Sequence, residues 1–95
     1  MEHKSEKIEA LLDLIASLSS KEDCRALFDD LCTNKELENM AERLHVAKLL
    51  IAGNTYSQVM EQADISSATL SRVSRCVQYG EGYRKFAAPQ EPEEQ

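Results

Sequence analysis

The sequence predicts an all-α fold, a run of short helices that includes a helix-turn-helix. Three observations carry that expectation. Apolar residues recur at steps of three and four along most of the chain. Residues able to cap helix N-termini stand before most of these stripes. No segment alternates apolar and polar residues as a half-buried strand would. With 3 Gly and 2 Pro in 95 residues, a turn-rich β architecture is excluded.

The elements follow in order. Ile8, Leu11, Leu12, Ile15 and Leu18 form the first stripe. Ser19 or Ser20 interrupts it and caps a second helix, with Glu22 spaced to complete a capping box from Ser19. Cys24, Leu27, Phe28, Leu31 and Cys32 are the apolar side of that helix, the cysteines read as core hydrophobes. Thr33-Asn34-Lys35-Glu36 is a further capping box. It opens a long helix through Leu37, Met40, Ala41 and Leu44 to Leu50 and Ile51. Gly53-Asn54 ends it, since glycine readily takes the left-handed conformation after a helix. Thr55, with Gln58 three residues on, starts a short helix from Tyr56 to about Gln62. Ala63-Asp64-Ile65 turns the chain, Asp64 being a residue that tolerates a left-handed backbone. Ser66 caps a helix running to about Val77, Gly80 and Gly82 stop it, and Tyr83 to Phe86 form one more turn. Residues 87–95 read as a frayed acidic end.

The expected organisation is a single helical domain over 1–88, followed by an acidic flexible tail at 89–95. Within it, 1–32 supply dimerisation helices, 33–53 a long central helix and 55–77 the helix-turn-helix. The 8–31 stripes are read as a dimer seam rather than an internal core, because a domain this small gains from covering apolar area with a second copy.

Composition excludes several function classes. The net charge of −6 is unevenly spread. Acidic residues dominate the first 34 positions and return as Glu91, Glu93 and Glu94, whereas within 65–88 Arg72, Arg75, Arg84 and Lys85 face Glu81 alone. A local anion-binding face is therefore compatible with an acidic protein. The 3 cysteines show no CxxC spacing, which fits reduced thiols in a cytoplasmic protein. His3 and His45 have no Cys or carboxylate at ligand spacing, so no metal site is expected. No nucleophile elbow, P-loop or catalytic carboxylate pair is present, and no enzyme is expected. No apolar run approaches the roughly 18 residues needed to cross a membrane, and the charged start lacks the apolar core of a secretory signal.

Two short helices joined by three residues, the second beginning Ser-Ser-Ala-Thr-Leu-Ser-Arg, make the helix-turn-helix layout. Val59 and Met60 are placed to brace the second helix through Ile65, Leu70 or Val73. Ser66, Ser67, Ala68, Thr69 and Ser71 keep the second helix's start small and polar, so that backbone N–H groups and hydroxyls can reach phosphates. Arg72 suits a guanine edge and Arg75 a phosphate. Ser57 and Gln58, at the start of the first helix, complete the expected contact set. The expected partner is double-stranded DNA, with helix 66–77 in the major groove. The alternative, motivated by the net charge, is a helical protein-interaction module that has lost DNA reading.

The stretch Ile65 to Val73 resembles repressor helix-turn-helix modules, which often read Ile-Ser-x-x-Thr-x-Ser-Arg-Val. Met60 stands where a small residue is usual and Asp64 where glycine is. Leu31-Cys32-Thr33, Ala41 to Val46, Leu49 to Gly53, Tyr56-Ser57-Gln58 and Ala68 to Arg72 together resemble the Trp repressor superfamily over 31–76. With Tyr79 to Tyr83 included, the chain is most similar to the Trp-repressor-related YerC/YecD-type proteins. The resemblance implies an intertwined homodimer of helices, sequence-specific DNA binding and a repressor's role in transcription. It also implies ligand positions: Arg43 and Arg72 match two arginines that flank a bound indole, and Thr33 matches a threonine of the pocket wall. Val73, however, stands where Trp repressor has a glycine beside its pocket. The Gly53–Tyr56 turn is one residue longer and the stretch before Ser66 is shorter. These differences argue against tryptophan and leave any small-molecule corepressor unnamed, with no other cofactor implied.

Overall fold

A computed structural model describes residues 5–88, and within them every regular element is a helix. These are α1 (Glu6–Ala16), α2 (Lys21–Leu31), α3 (Asn34–Ile51), α4 (Tyr56–Gln62), α5 (Ser67–Tyr79) and α6 (Gly82–Phe86). The expected tail at 89–95 and His3 lie outside the described residues. The chain divides within α3 into two units, residues 1–37 and 38–95.

In the first unit the helices are made locally. Ser5 caps α1 by accepting from Ile8 N at 3.2 Å. Ser20, rather than Ser19, caps α2 by accepting from Asp23 N at 3.0 Å. The capping box expected from Ser19 and Glu22 is therefore replaced by a cap one residue later. Glu22 and Asp23 instead sit in the first turn, where the helix dipole favours a carboxylate. Thr33 and Glu36 do form a capping box at the start of α3: Thr33 N donates to Glu36 Oε1 at 2.9 Å, and Glu36 N to Thr33 Oγ1 at 3.0 Å. Neither α1 nor α2 contains a buried residue. Cys24 and Cys32 are half-buried, not fully buried core residues.

The second unit has a core. Val46, Ala47, Val59, Leu70, Val73 and Val77 are buried together, with Leu50, Ile65 and Tyr83 among the residues packed against them. On α3 the core side runs through Val46, Ala47 and Leu50. The stripe through Met40 and Leu44 lies about a quarter of a turn from that side at 100° per residue, Met40 being two turns before Ala47, and it stays exposed. The buried side of α3 is thus rotated from the stripe that periodicity singles out and overlaps it at Ala47, Leu50 and Ile51. Val59 braces α5 as expected, but Met60 does not; it is 44% exposed on the outer side of α4.

The joints follow from backbone chemistry. At the end of α3, Gly53 has φ +105°. Its N–H donates to Leu50 O and that of Asn54 to Leu49 O, the two bonds of a Schellman ending. Thr55 and Gln58 cap α4 reciprocally. Asp64 is not left-handed, since no described residue other than glycine has positive φ. The turn is made instead by extended Ala63 (φ −130°, ψ 148°) and extended Ser66 (φ −75°, ψ 156°). α5 runs to Tyr79, two residues beyond the expected end, and stops at Gly80. α6 then forms, and the fraying expected from residue 87 is displaced because Ala87 is buried.

Candidate nucleic-acid interface

α5 divides into two sides along its length. Leu70, Val73 and Val77, spaced three and four apart, are buried in the core. Ala68, Arg72, Arg75 and Tyr79 lie opposite them and are exposed, Tyr79 at 80%. The outward ridge thus begins with a methyl group and rises to two guanidiniums and a phenol. A small start admits close backbone approach, and the arginines add long charged reach. No polar or charged residue is fully buried among the described residues.

The N-terminus of α5 is internally arranged. Ser66 Oγ accepts from Thr69 N at 3.2 Å and donates its proton to Thr69 Oγ1 at 3.0 Å. The Ser66 hydroxyl is consequently occupied as a cap, while Thr69 keeps its own proton to offer outward. Ser67 and Ala68 are exposed, and Ser71 and Thr69 are half-buried. On α4, Ser57 is exposed. Gln58 is exposed too, but its Oε1 accepts from Thr55 N at 2.8 Å, so that oxygen serves the cap.

The residues matched to ligand positions line different recesses or none. Arg43 lines a recess of about 240 Å³ with Asn39, Glu42, Asp64, Ile65, Ser66 and Thr69. Arg72 lines a different, open hollow of about 370 Å³ with Arg75, Cys76, Tyr79 and Gly80. Thr33 caps α3 in the other unit. Val73, 1% exposed, is committed to the core.

Several residues here were not picked out by motif reading. Tyr79 extends the Arg72–Arg75 ridge by one more turn, a spacing that helical periodicity could have supplied. Arg84 Nε donates to Val77 O at 2.7 Å, so this cation secures the end of α5. Lys85 Nζ lies 5.6 Å from the ring centre of Phe86. Asn54 and Gln62 are joined by a side-chain hydrogen bond of 3.2 Å. No sequence motif marks such a pair, because two amides eight residues apart meet only once the turn is folded.

Three similarities to known proteins bear on this surface. The family model described as Trp repressor protein matches residues 6–90. The protein named "Uncharacterized protein YerC" of Bacillus subtilis (strain 168) is 43% identical over 77 residues, covering 81% of this chain and 74% of YerC. A Trp-repressor-like protein of known crystal structure from Staphylococcus aureus superposes with a TM-score of 0.76 at 38% identity. It covers 82% of this chain and 78% of its own.

Proposed function

Because the chain belongs to the Trp repressor family, we propose that it is a DNA-binding transcriptional regulator that represses by occupying its operator. The observation that carries this reading is the outward ridge of α5, Ala68, Arg72 and Arg75, set opposite a buried Leu70–Val73–Val77 spine. A spine of that kind holds the helix firmly while its small N-terminal residues enter the major groove. Arg72 reads a base edge, and Arg75 and Ser57 take phosphates. Thr69 and Ser71 donate hydroxyl protons, Ser67 and Ala68 permit close approach, and Ser66 and Gln58 shape the two helix starts.

The working form in this reading is a homodimer. Its support is the exposed apolar side of the first unit, where Ile8 is 56% and Leu12 51% exposed, together with exposed Met40 and Leu44 on α3. The commitment of Val73 to the core supports a regulator that does not take tryptophan. Added tryptophan should accordingly leave its DNA affinity unchanged.

Selection from a random duplex pool tests the reading. The expected product is an enriched, roughly two-fold symmetric site with half-sites about 34 Å apart. Its affinity should fall with salt by about 0.9 log units per phosphate contact. Recovery of no enriched sequence would favour the protein-interaction alternative that the −6 net charge suggests.

A further inference from the structure

Asn54 and Gln62 stand at the two ends of α4, and their side chains close it like a clasp. Gln62 Nε2 donates to Asn54 Oδ1 at 3.2 Å and to Gln58 O, within its own helix, at 3.2 Å. Asn54 Nδ2 donates in turn to Leu49 O at 2.9 Å, the same carbonyl that accepts from Asn54 N. A hydrogen-bonded chain therefore runs from the last turn of α3 to the last residue of α4. Both Gln62 amide protons are used, so the side chain has none to give a phosphate. Its remaining oxygen would be repelled by one.

α4 has reason to need this support. It is 7 residues long with Val59 as its only buried residue, well short of the length at which a helix holds by itself. One apolar anchor fixes where such a helix sits and leaves rocking about the anchor soft. Gln62 lies at the far end from the α4 N-cap, and only Ala63, Asp64, Ile65 and the Ser66 cap separate it from α5. Whatever holds Gln62 holds the start of the turn that sets where the N-terminus of α5 rests, while Leu70, Val73 and Val77 hold its body. Arg72 lies six residues beyond Ser66, about 9 Å along the helix axis. A tilt of about 10° at the base would move it by roughly 1.5 Å at that lever arm. Such a shift exceeds the tolerance of a bidentate base contact, whereas phosphate attraction, being longer in range, survives it.

We propose that the Asn54–Gln62 clasp is a positioning device for sequence reading: it sets the pitch of α4 and through it the angle at which Arg72 meets the bases. The inference rests on the DNA-binding reading above. Its consequence is specific. Loss of the clasp degrades discrimination between sequences and leaves sequence-independent binding intact.

The test measures affinity of the intact protein for the selected duplex and for a scrambled duplex of equal length, well below the melting temperature. Wild type, Gln62→Ala, Asn54→Ser and the double variant are compared, with helicity checked by circular dichroism. Each single change should lower the selected-to-scrambled ratio about three- to tenfold, the range of one net hydrogen bond. Scrambled binding should stay within about twofold, and the double variant should do no worse than the poorer single. Gln62→Glu, which keeps the size and loses both donors, should reduce the ratio in the same way and serves if an alanine is not tolerated. Ratios unchanged in the variants, with melting lowered, would assign the clasp to stability alone and overturn the inference. Equal losses on both duplexes would overturn it in favour of a direct backbone contact. A wild type that does not distinguish the duplexes takes down the DNA reading itself, and the inference with it.

Discussion

The two units of the chain are equally good at making helices and unequal at burying anything. Ser5 and Ser20 cap α1 and α2 as competently as Thr55 and Ser66 cap α4 and α5. Yet Val46, Val59 and Leu70 have no exposed surface, while Ile8, Leu12, Leu14 and Leu31 remain about half exposed. Local sequence therefore writes helices throughout, and a closed core is a separate property that only residues 38–88 achieve from their own side chains. The teaching is about division of labour. The second unit closes a core of its own and offers a polar ridge, with Met40 and Leu44 still exposed on α3. The first offers apolar area whose burial would add roughly 25 cal/mol for each Å² covered, and a second copy is the proposed cover.

The largest effect that sharpens this contrast is Leu70→Ala. Leu70 is fully buried in the spine of α5, and deletion of its side chain should cost about 2–5 kcal/mol. Thermal melting should show a drop of many degrees. Leu12→Glu should behave differently, because Leu12 is 51% exposed in the chain. Helicity of the second unit should persist while sedimentation shifts from dimer to monomer and melting loses its dependence on protein concentration. A wild type that sediments as a monomer throughout would break the contrast, since the first unit's apolar side would then be tolerated uncovered.

Next comes the pair on the ridge. Arg72→Ala should cost about 1–3 kcal/mol on the selected duplex and relax preference at the base it reads. Arg75→Ala should weaken all sequences alike and lower the slope of log affinity against log salt by about 0.9. Binding isotherms at several salt concentrations separate the two. If both changes act alike, the ridge attracts phosphates without reading bases.

Much of this was legible beforehand, and the misses have more than one cause. The α3 and α4 capping boxes, the glycine stop at Gly53 and the bounds of α4 depend on contacts within six residues, and all are where the sequence places them. The turn before Ser66 is different. Asp64 suits a left-handed backbone, but two extended residues make the same change of direction without one. Met40, Leu44 and Met60 are apolar at helical spacing and still face outward. Periodicity identifies an apolar side without saying whether this chain or another covers it. The Asn54–Gln62 clasp was illegible for a related reason, since it depends on the turn being formed first.

Effects of similar or smaller size come from two glycines that end helices for opposite reasons. Gly53 has φ +105° and nothing within 4 Å of the place a Cβ would occupy. Gly53→Ala should therefore cost about 1–2 kcal/mol of backbone strain and no packing. Gly53→Asn should recover part of that, since asparagine tolerates positive φ. Gly80 has an ordinary φ of −93°, but a Cβ there would sit 2.7 Å from the Cys76 carbonyl oxygen. Alanine and asparagine at 80 should thus destabilise alike, by about 1–3 kcal/mol, because both carry the offending atom. Chemical denaturation of the four variants separates a conformational requirement from a steric one. Rescue by asparagine at 80, or its absence at 53, would reverse these two assignments.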